Sequence, residues 1–300
     1  MNSRPLPPRA LRAAPWLLTL LAAISFTPRP ASAAVRADIV FAEVDGHKLA
    51  LNLHLPDAPA PAPARPRVIV WVHGGAWRAG SRKDMPLGPL IAAGYAVASV
   101  DYRLSTTARF PAQIHDLKAA IRFLRANAAQ LGLNTDKIAI AGASAGGHLA
   151  ALVGVTNGHR ELEGTVGTTG QSSDVHAILS FFGMSDLTTI LKQSTPHGLN
   201  VRVPALQLLL GGQPDAVPEL ARLASPVFQV DAKDPPLLLV HGDKDPQAPF
   251  EQSRALEAAY QKAKLPVQFE TIRGGLHGGP QFFDAERIAL AKHFLETALR

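Results

Sequence analysis

Apolar residues in this chain gather in short runs separated by polar, Gly- and Pro-containing turns, and two periods are legible in them. Val267–Ile272 reads as the last strand, and Arg67–His73 (R-V-I-V-W-V-H), Ala96–Val100, Ile138–Ile140, Ala177–Phe182 and Leu237–Val240 are brief and almost continuously apolar. Strands covered on both faces of a parallel sheet have this pattern. Between them lie helix-period stretches: Met85–Gly94, Phe110–Asn127 with Ile114, Leu117, Ile121 and Leu124 on one stripe, Gly147–Val155, Phe250–Lys264 and a closing segment to Arg300. Two earlier runs, Ile39–Val44 and Leu49–Leu55, flank Asp45-Gly46, which suits a tight turn, so they predict an antiparallel hairpin at the sheet edge. The whole predicts an α/β fold: a mostly parallel sheet of about eight strands with helices on both faces.

Three stretches break the rhythm. Asp57–Pro66 (D-A-P-A-P-A-P-A-R-P) is too rich in proline for a strand or helix and predicts a short extended connection inside one domain. Thr156–Ser173 is rich in Gly and Thr, and Leu187–Val217 is irregular with two short helices; both are expected to shape the substrate pocket, the second as a lid or wall.

The first residues are of another kind. Arg4, Arg9 and Arg12 precede an apolar run from Ala13 to Phe26, and Ala31-Ser32-Ala33 has the small-x-small form of a signal-peptidase site. The run is shorter than the roughly 20 residues a membrane span needs, so a cleaved signal is favoured over an uncleaved anchor. Residues 1–33 are therefore expected to be a signal peptide, cleaved near Ala33, and residues 34–300 a single catalytic domain, secreted or periplasmic, with no stable membrane anchor. Removing the segment takes away Arg4, Arg9, Arg12 and Arg29, so the formal charge of +6 becomes 6 − 4 = +2. No Lys/Arg cluster with interleaved aromatics follows it, so a nucleic-acid partner is not expected. With no cysteine in 300 residues, disulfides and thiolate metal sites are excluded.

Candidate chemistry starts at Gly142-Ala143-Ser144-Ala145-Gly146, a G-x-S-x-G between a strand run and a helix run. A serine held on a strained strand-to-helix turn crowds the residues two away, so glycine is needed there. The turn would push the hydroxyl of Ser144 out of the sheet, beside the first N–H groups of the helix. An unaided serine is a poor nucleophile and needs a base, itself held by a carboxylate. In such folds the order is Ser, acid, His. His277, set among four glycines after the last strand, fits as base, whereas His148, four residues beyond Ser144, reads as a packed helix residue. His73 and His241 read as ties for adjoining loops that could also line the pocket, and His115 and His293 as structural. Three acids compete: Asp245, out on the loop and preferred, Asp243, closer to the strand, and Asp186, after the preceding strand. Past the strand Arg67–His73, Gly74-Gly75-Ala76-Trp77 is the second constellation, since glycines there let backbone N–H groups face a ligand. No H-E-x-x-H or comparable ligand spacing occurs, so neither metal nor cofactor is implied.

Taken together, H-G-G-A-W, F-P-A-Q-I-H-D-L-K-A-A-I-R-F-L-R, G-A-S-A-G-G-H-L-A and H-G-D-K-D-P resemble the α/β-hydrolase carboxylesterases of the feruloyl and acetyl-xylan esterase type, related to the hormone-sensitive-lipase-like esterases. The resemblance implies Ser144 as nucleophile, Asp245 as acid, His277 as base, an oxyanion hole of the Gly74, Gly75 and Ala145 N–H groups, and Trp77 in contact with substrate. It also implies a small-molecule or polysaccharide-linked ester as substrate. The third glycine of the related H-G-G-G is Ala76 here, which leaves open which two N–H groups of residues 74–76 point inward. H-G-G-x-W also resembles kynurenine formamidases, so an arylformamidase-like amidase is the second reading, and a non-catalytic binding protein on the same fold the third. Acyl length, alcohol and oligomeric state are not legible in the pattern.

Overall fold

The computed structural model describes residues 34–57 and 65–300, together with residue 1. The expected signal peptide and most of the proline-rich connection lie outside the described residues.

Eight strands form one sheet: β1 (Ala34–Val44), β2 (His47–Leu55), β3 (Arg67–Val72), β4 (Ala96–Val100), β5 (Asn134–Ala143), β6 (Ala177–Phe181), β7 (Leu237–Gly242) and β8 (Val267–Ile272). Their order is β1-β2-β4-β3-β5-β6-β7-β8. The β1–β2 hairpin turns at Asp45-Gly46 and joins the sheet antiparallel through β2 and β4; every other pairing is parallel. Pairs such as Val70 with Ile140 and Gly142 with Ser180 set the carboxyl ends of β3, β5 and β6 side by side, where a ligand site of an open α/β sheet belongs.

The continuous apolar runs are buried on both faces because helices cover both. Val68, Val70 and Val72 of β3 point into a layer with Ile114, Leu117, Ile121 and Leu149 from the helices Ala112–Ala126 and Ala145–Gly154. Ile69 and Trp71 point the other way, against Leu90 of the helix Gly88–Ala92 and Phe294 and Leu295 of the helix Ala285–Ala298. Each such side chain contributes about 1.5–3 kcal/mol by leaving water, so the centre of the sheet is a stiff platform for whatever its loops carry. Among the described residues, no helix is long and apolar enough to cross a membrane.

Two stretches differ from the expectation. Leu187–Val217 holds a 15-residue helix, Pro196–Leu210, with the shorter helix Ile190–Gln193 before it. Thr195 caps the long helix by accepting the Gly198 N–H at 3.0 Å, and Gly211 ends it in the left-handed region. Its buried side is Gly198, Arg202, Ala205, Leu206, Leu209 and Leu210, while Val203 and Leu208 face solvent. Buried Gly and Arg together with exposed Val and Leu blur the helical period. Thr156–Ser173 instead clamps the helix Ala112–Ala126 from outside. Lys118 Nζ donates to the Thr156 carbonyl at 2.6 Å, and the Arg122 guanidinium to the carbonyls of Glu163, Val166 and Thr168.

Candidate active site

β5 ends at Ala143, the next helix begins at Ala145, and Ser144 is the whole turn between them. Its φ of 56° and ψ of −120° lie where a side chain is strained, a conformation that costs about 1–3 kcal/mol and persists only under tight packing. The packing is visible at the flanking glycines. A Cβ on Gly146 would lie 2.1 Å from the Val72 carbonyl oxygen, and one on Gly142 would lie 2.3 Å from that of Gly146. The helix start is thus pressed against the ends of β3 and β5, and the Ser144 N–H is held by the Phe181 carbonyl at 2.9 Å.

His277 arrives from the loop after β8. That loop packs on β7 so closely that a Cβ at Gly242 would meet the Gly275 carbonyl oxygen at 2.3 Å. The imidazole Nε2 stands 2.8 Å from Ser144 Oγ and Nδ1 stands 2.7 Å from Asp245 Oδ2. Phe182 packs edge-on against the ring, with centroids 4.9 Å apart, and fixes its plane.

Asp245 is buried, and both its oxygens are engaged. Oδ1 accepts the N–H groups of Gln247 and Ala248 at 2.8 and 2.9 Å; Oδ2 faces His277 and, at 3.3 Å, His241 Nε2. Burial alone would raise this carboxyl, but the hydrogen bonds from His241 and His277, the charge interaction with His277 and the Ala248 N–H outweigh it. They hold Asp245 well below the usual carboxylate range. It is an anion at any working pH.

The competing residues have other work. Asp243 Oδ1 accepts the Gly274 N–H at 2.6 Å and pins the His277 loop, and Asp186 accepts from Thr188 and Thr189. His241 bonds Ser253 and the Ala248 carbonyl, and His73 stacks on Tyr102 while bonding the Gly74 carbonyl. His115 reaches the Glu161 carbonyl at 3.0 Å, and His293 is exposed on its helix. His148 is fully buried, with Nε2 donating to the Ala224 carbonyl at 2.7 Å; burial lowers its pKa to about 4, so it is neutral.

The Gly74–Ala76 strip closes the other side. A Cβ on Gly74 would sit 3.0 Å from the Ala143 carbonyl oxygen and 3.4 Å from Ser144 Cβ, so bare backbone lies against the elbow. Gly75, Ala76 and Trp77 all have positive φ, at 106°, 52° and 59°. The Gly75 carbonyl turns back to accept the Arg78 and Ala79 N–H groups at 3.1 and 3.0 Å. Among the described residues, no acceptor pairs with the backbone N–H of Gly74, Gly75, Ala76 or Ala145. Gly74, Gly75 and Ala76 border a cavity of about 480 Å³ that Ser144, Phe182, Arg202 and His277 also line, and Ala145 follows Ser144 directly in the chain.

Trp77 requires a correction: it does not touch this cavity, although Ala76 and Arg78 beside it do. The positive-φ turn drives the indole inward, where it is 0% exposed and its Nε1–H donates to His148 Nδ1 at 3.1 Å. Thr156–Ser173 does not reach the cavity either, whereas Val201 and Arg202 of the helix Pro196–Leu210 do. Arg202 and Phe182 carried no signal in the sequence, since a helical Arg normally reads as solvated and Phe182 as the end of a strand.

The BD-FAE family model matches residues 51–260. Esterase LipC of Mycobacterium tuberculosis strain H37Rv is 34% identical over 228 residues, 75% of this chain and 54% of its own. A truncated carbohydrate esterase from gut microbiota superposes with a TM-score of 0.81 at 32% identity, over 91% of this chain and 99% of that one. Esterase 2 of Thermogutta terrifontis, phosphonylated by sarin, gives a TM-score of 0.74 at 29% identity, over 91% and 97%. The chain spans about half the length of the curated relatives it matches. With the elbow, the eight-stranded sheet and a match to 210 of its 300 residues, the chain belongs to the BD-FAE family of α/β-hydrolases.

Proposed function

We propose that this chain is a serine carboxylesterase, and the observation that carries the reading is the unbroken hydrogen-bond chain from Ser144 Oγ through His277 to Asp245, at 2.8 and 2.7 Å. Asp245, with both oxygens already committed to N–H donors, holds His277 with Nδ1 protonated and leaves Nε2 as a lone pair facing Ser144. That tautomer is the one a general base needs. Ser144 Oγ attacks the ester carbonyl as Nε2 takes its proton, and the buried carboxylate stabilises the imidazolium that forms. The negative oxygen that develops is received by N–H groups from Gly74, Gly75 and Ala145, which have no protein acceptor to give up. The imidazolium then hands its proton to the departing alcohol. Water, activated by the same imidazole, releases the acid from the acyl-enzyme.

The substrate reading is a short acyl or a feruloyl or acetyl group, free or linked to polysaccharide; the likeness to a solved structure titled as a carbohydrate esterase supports it. No cofactor enters the proposed chemistry. The protein is read as secreted or periplasmic on the Arg-rich start, apolar run and Ala31-Ser32-Ala33 of residues 1–33.

The test is hydrolysis of a short-to-long series of 4-nitrophenyl esters by residues 34–300, beside Ser144→Ala. Activity that falls by about 10⁶-fold in the variant is expected. A folded wild type inert on every ester, and indistinguishable from the variant, would refute the reading; hydrolysis of an N-formyl arylamine with no ester turnover would replace it with the amidase.

A further inference from the structure

Among the described residues, Arg202 stands apart from the other buried cations, Lys118 and Arg122, which both pair with Glu163. It sits mid-helix in Pro196–Leu210, is 0% exposed, and lines the cavity that contains Ser144 and His277. One edge of the guanidinium is fixed: Nε donates to the Gln247 carbonyl at 3.0 Å, on the same loop as Asp245, and the group lies 5.8 Å from the centre of the Trp77 ring. That explains Trp77, whose indole, bonded to His148, is a wall behind the guanidinium rather than a substrate contact. The other edge, Nη1 and Nη2, is enclosed and has no partner among the described residues. The neighbouring carboxylate, Asp245, is already committed to four N–H groups from Gln247, Ala248, His277 and His241. A second cation, Arg78, lines the same cavity. Burial lowers Arg202 to about 10, with Asp245 opposing and Arg78 adding to the fall, so it is still charged at neutral pH.

A buried charge with two parallel unsatisfied donors is costly unless something supplies two acceptors and a negative charge. A carboxylate does both, and matches the planar fork of Nη1 and Nη2 in a bidentate pair. We infer that Arg202 is a specificity-determining residue that binds a free carboxylate on the ester substrate, beside the bond that Ser144 attacks. The inference rests on the esterase reading of the same cavity. The carboxylate has two sources: the acyl part, as in a half-ester of a dicarboxylic acid, or the alcohol part, as in an acylated uronic acid.

Two matched pairs separate them: mono-4-nitrophenyl glutarate against 4-nitrophenyl valerate, and acetylated galacturonic acid against acetylated galactose. The wild type is expected to favour the carboxylate member of one pair by tenfold or more in kcat/KM, the range of a charge-assisted hydrogen-bond pair. The pair that shows the preference names the source. Arg202→Gln should bring that ratio to within about threefold of unity, chiefly through KM, and Arg202→Lys, which keeps the charge without the fork, should retain part of it. Should Arg202→Gln fail to fold, glutarate and galacturonate are tested as inhibitors of 4-nitrophenyl butyrate hydrolysis by the wild type, against glutaramide and galactose. Inhibition confined to the carboxylates supports the inference, and equal or absent inhibition overturns it. A wild type that cleaves neutral esters and shows no preference in either pair overturns it too, as do variants that slow both members of a pair equally. Absence of turnover on every ester instead removes the esterase reading itself.

Discussion

Asp245→Asn tests whether the buried acid fixes the state of His277, and the structure dictates how the new amide must lie. Oδ1 of Asp245 accepts two backbone N–H groups, from Gln247 and Ala248, so the asparagine must leave its oxygen there. Its NH₂ then faces His277 Nδ1 at the 2.7 Å position and donates to it. The imidazole responds by carrying its proton on Nε2, toward Ser144 Oγ, and can no longer take one from the serine. The fold survives, since the amide has the volume of the carboxylate and keeps the two backbone bonds. Its NH₂ does oppose the His241 Nε2–H, but that group retains the Ala248 carbonyl at 3.0 Å. We expect kcat on 4-nitrophenyl butyrate to fall by about 10⁴-fold, or roughly 5 kcal/mol of transition-state stabilisation. Stability should fall by only about 1–3 kcal/mol for the lost charge-assisted bonds. The carboxyl of Asp245 is depressed in the folded state, so its contribution to stability is present above the ordinary carboxylate range and lost as pH falls below it; the asparagine variant lacks that acid limb. Kinetics at pH 7 and thermal unfolding from pH 3 to 7 read both. A folded Asp245→Asn within tenfold of wild type, or Asp243→Asn giving the larger loss of kcat, would show that the acid is misassigned.

Gly146→Ala places a Cβ 2.1 Å from the Val72 carbonyl oxygen, a backbone atom that cannot move aside, so the variant should lose at least about 3 kcal/mol or fail to fold; denaturant melts decide. Trp77→Phe removes the donor to His148 Nδ1 in the core but keeps an aromatic ring, and should cost about 1–3 kcal/mol in the same melts with KM for neutral esters unchanged. His148, lowered to about 4 by burial, binds a proton more readily unfolded than folded. Stability should therefore fall as pH drops from about 6.5 to 4, by up to roughly 3 kcal/mol, a slope that His148→Gln flattens.

The legible part of the fold was the part set by two-sided burial. β4 occupies the residues its apolar run marks, Ala96–Val100, because a strand covered on both faces has no solvent-facing positions to blur its ends. The helix Pro196–Leu210 was hidden because its buried side includes Gly198 and Arg202 and its outer side Val203 and Leu208, the reverse of an amphipathic stripe. Ser144, His277 and Asp245 could be found one by one, since each ends a strand in a loop of recognisable spacing, and the structure brings the three together. Trp77 could not be placed: an indole beside a glycine pair reads the same whether the backbone turns it toward the ligand or into the core, and only the run of positive φ at residues 75–77 decides. Arg202 was invisible for a related reason. Nothing in a helical Arg announces that two of its nitrogens will be enclosed without a partner.

The central claim is that Ser144 Oγ is the atom that forms the acyl-enzyme. Intact-mass and peptide mass spectrometry after exposure to a 4-nitrophenyl phosphonate measures it most directly. The account predicts one adduct per chain, on the peptide that carries Ser144, formed at the rate at which esterase activity disappears, absent in Ser144→Ala and strongly slowed in His277→Ala. Full inactivation with the adduct on another residue, or sustained ester turnover with Ser144 unmodified, would contradict it.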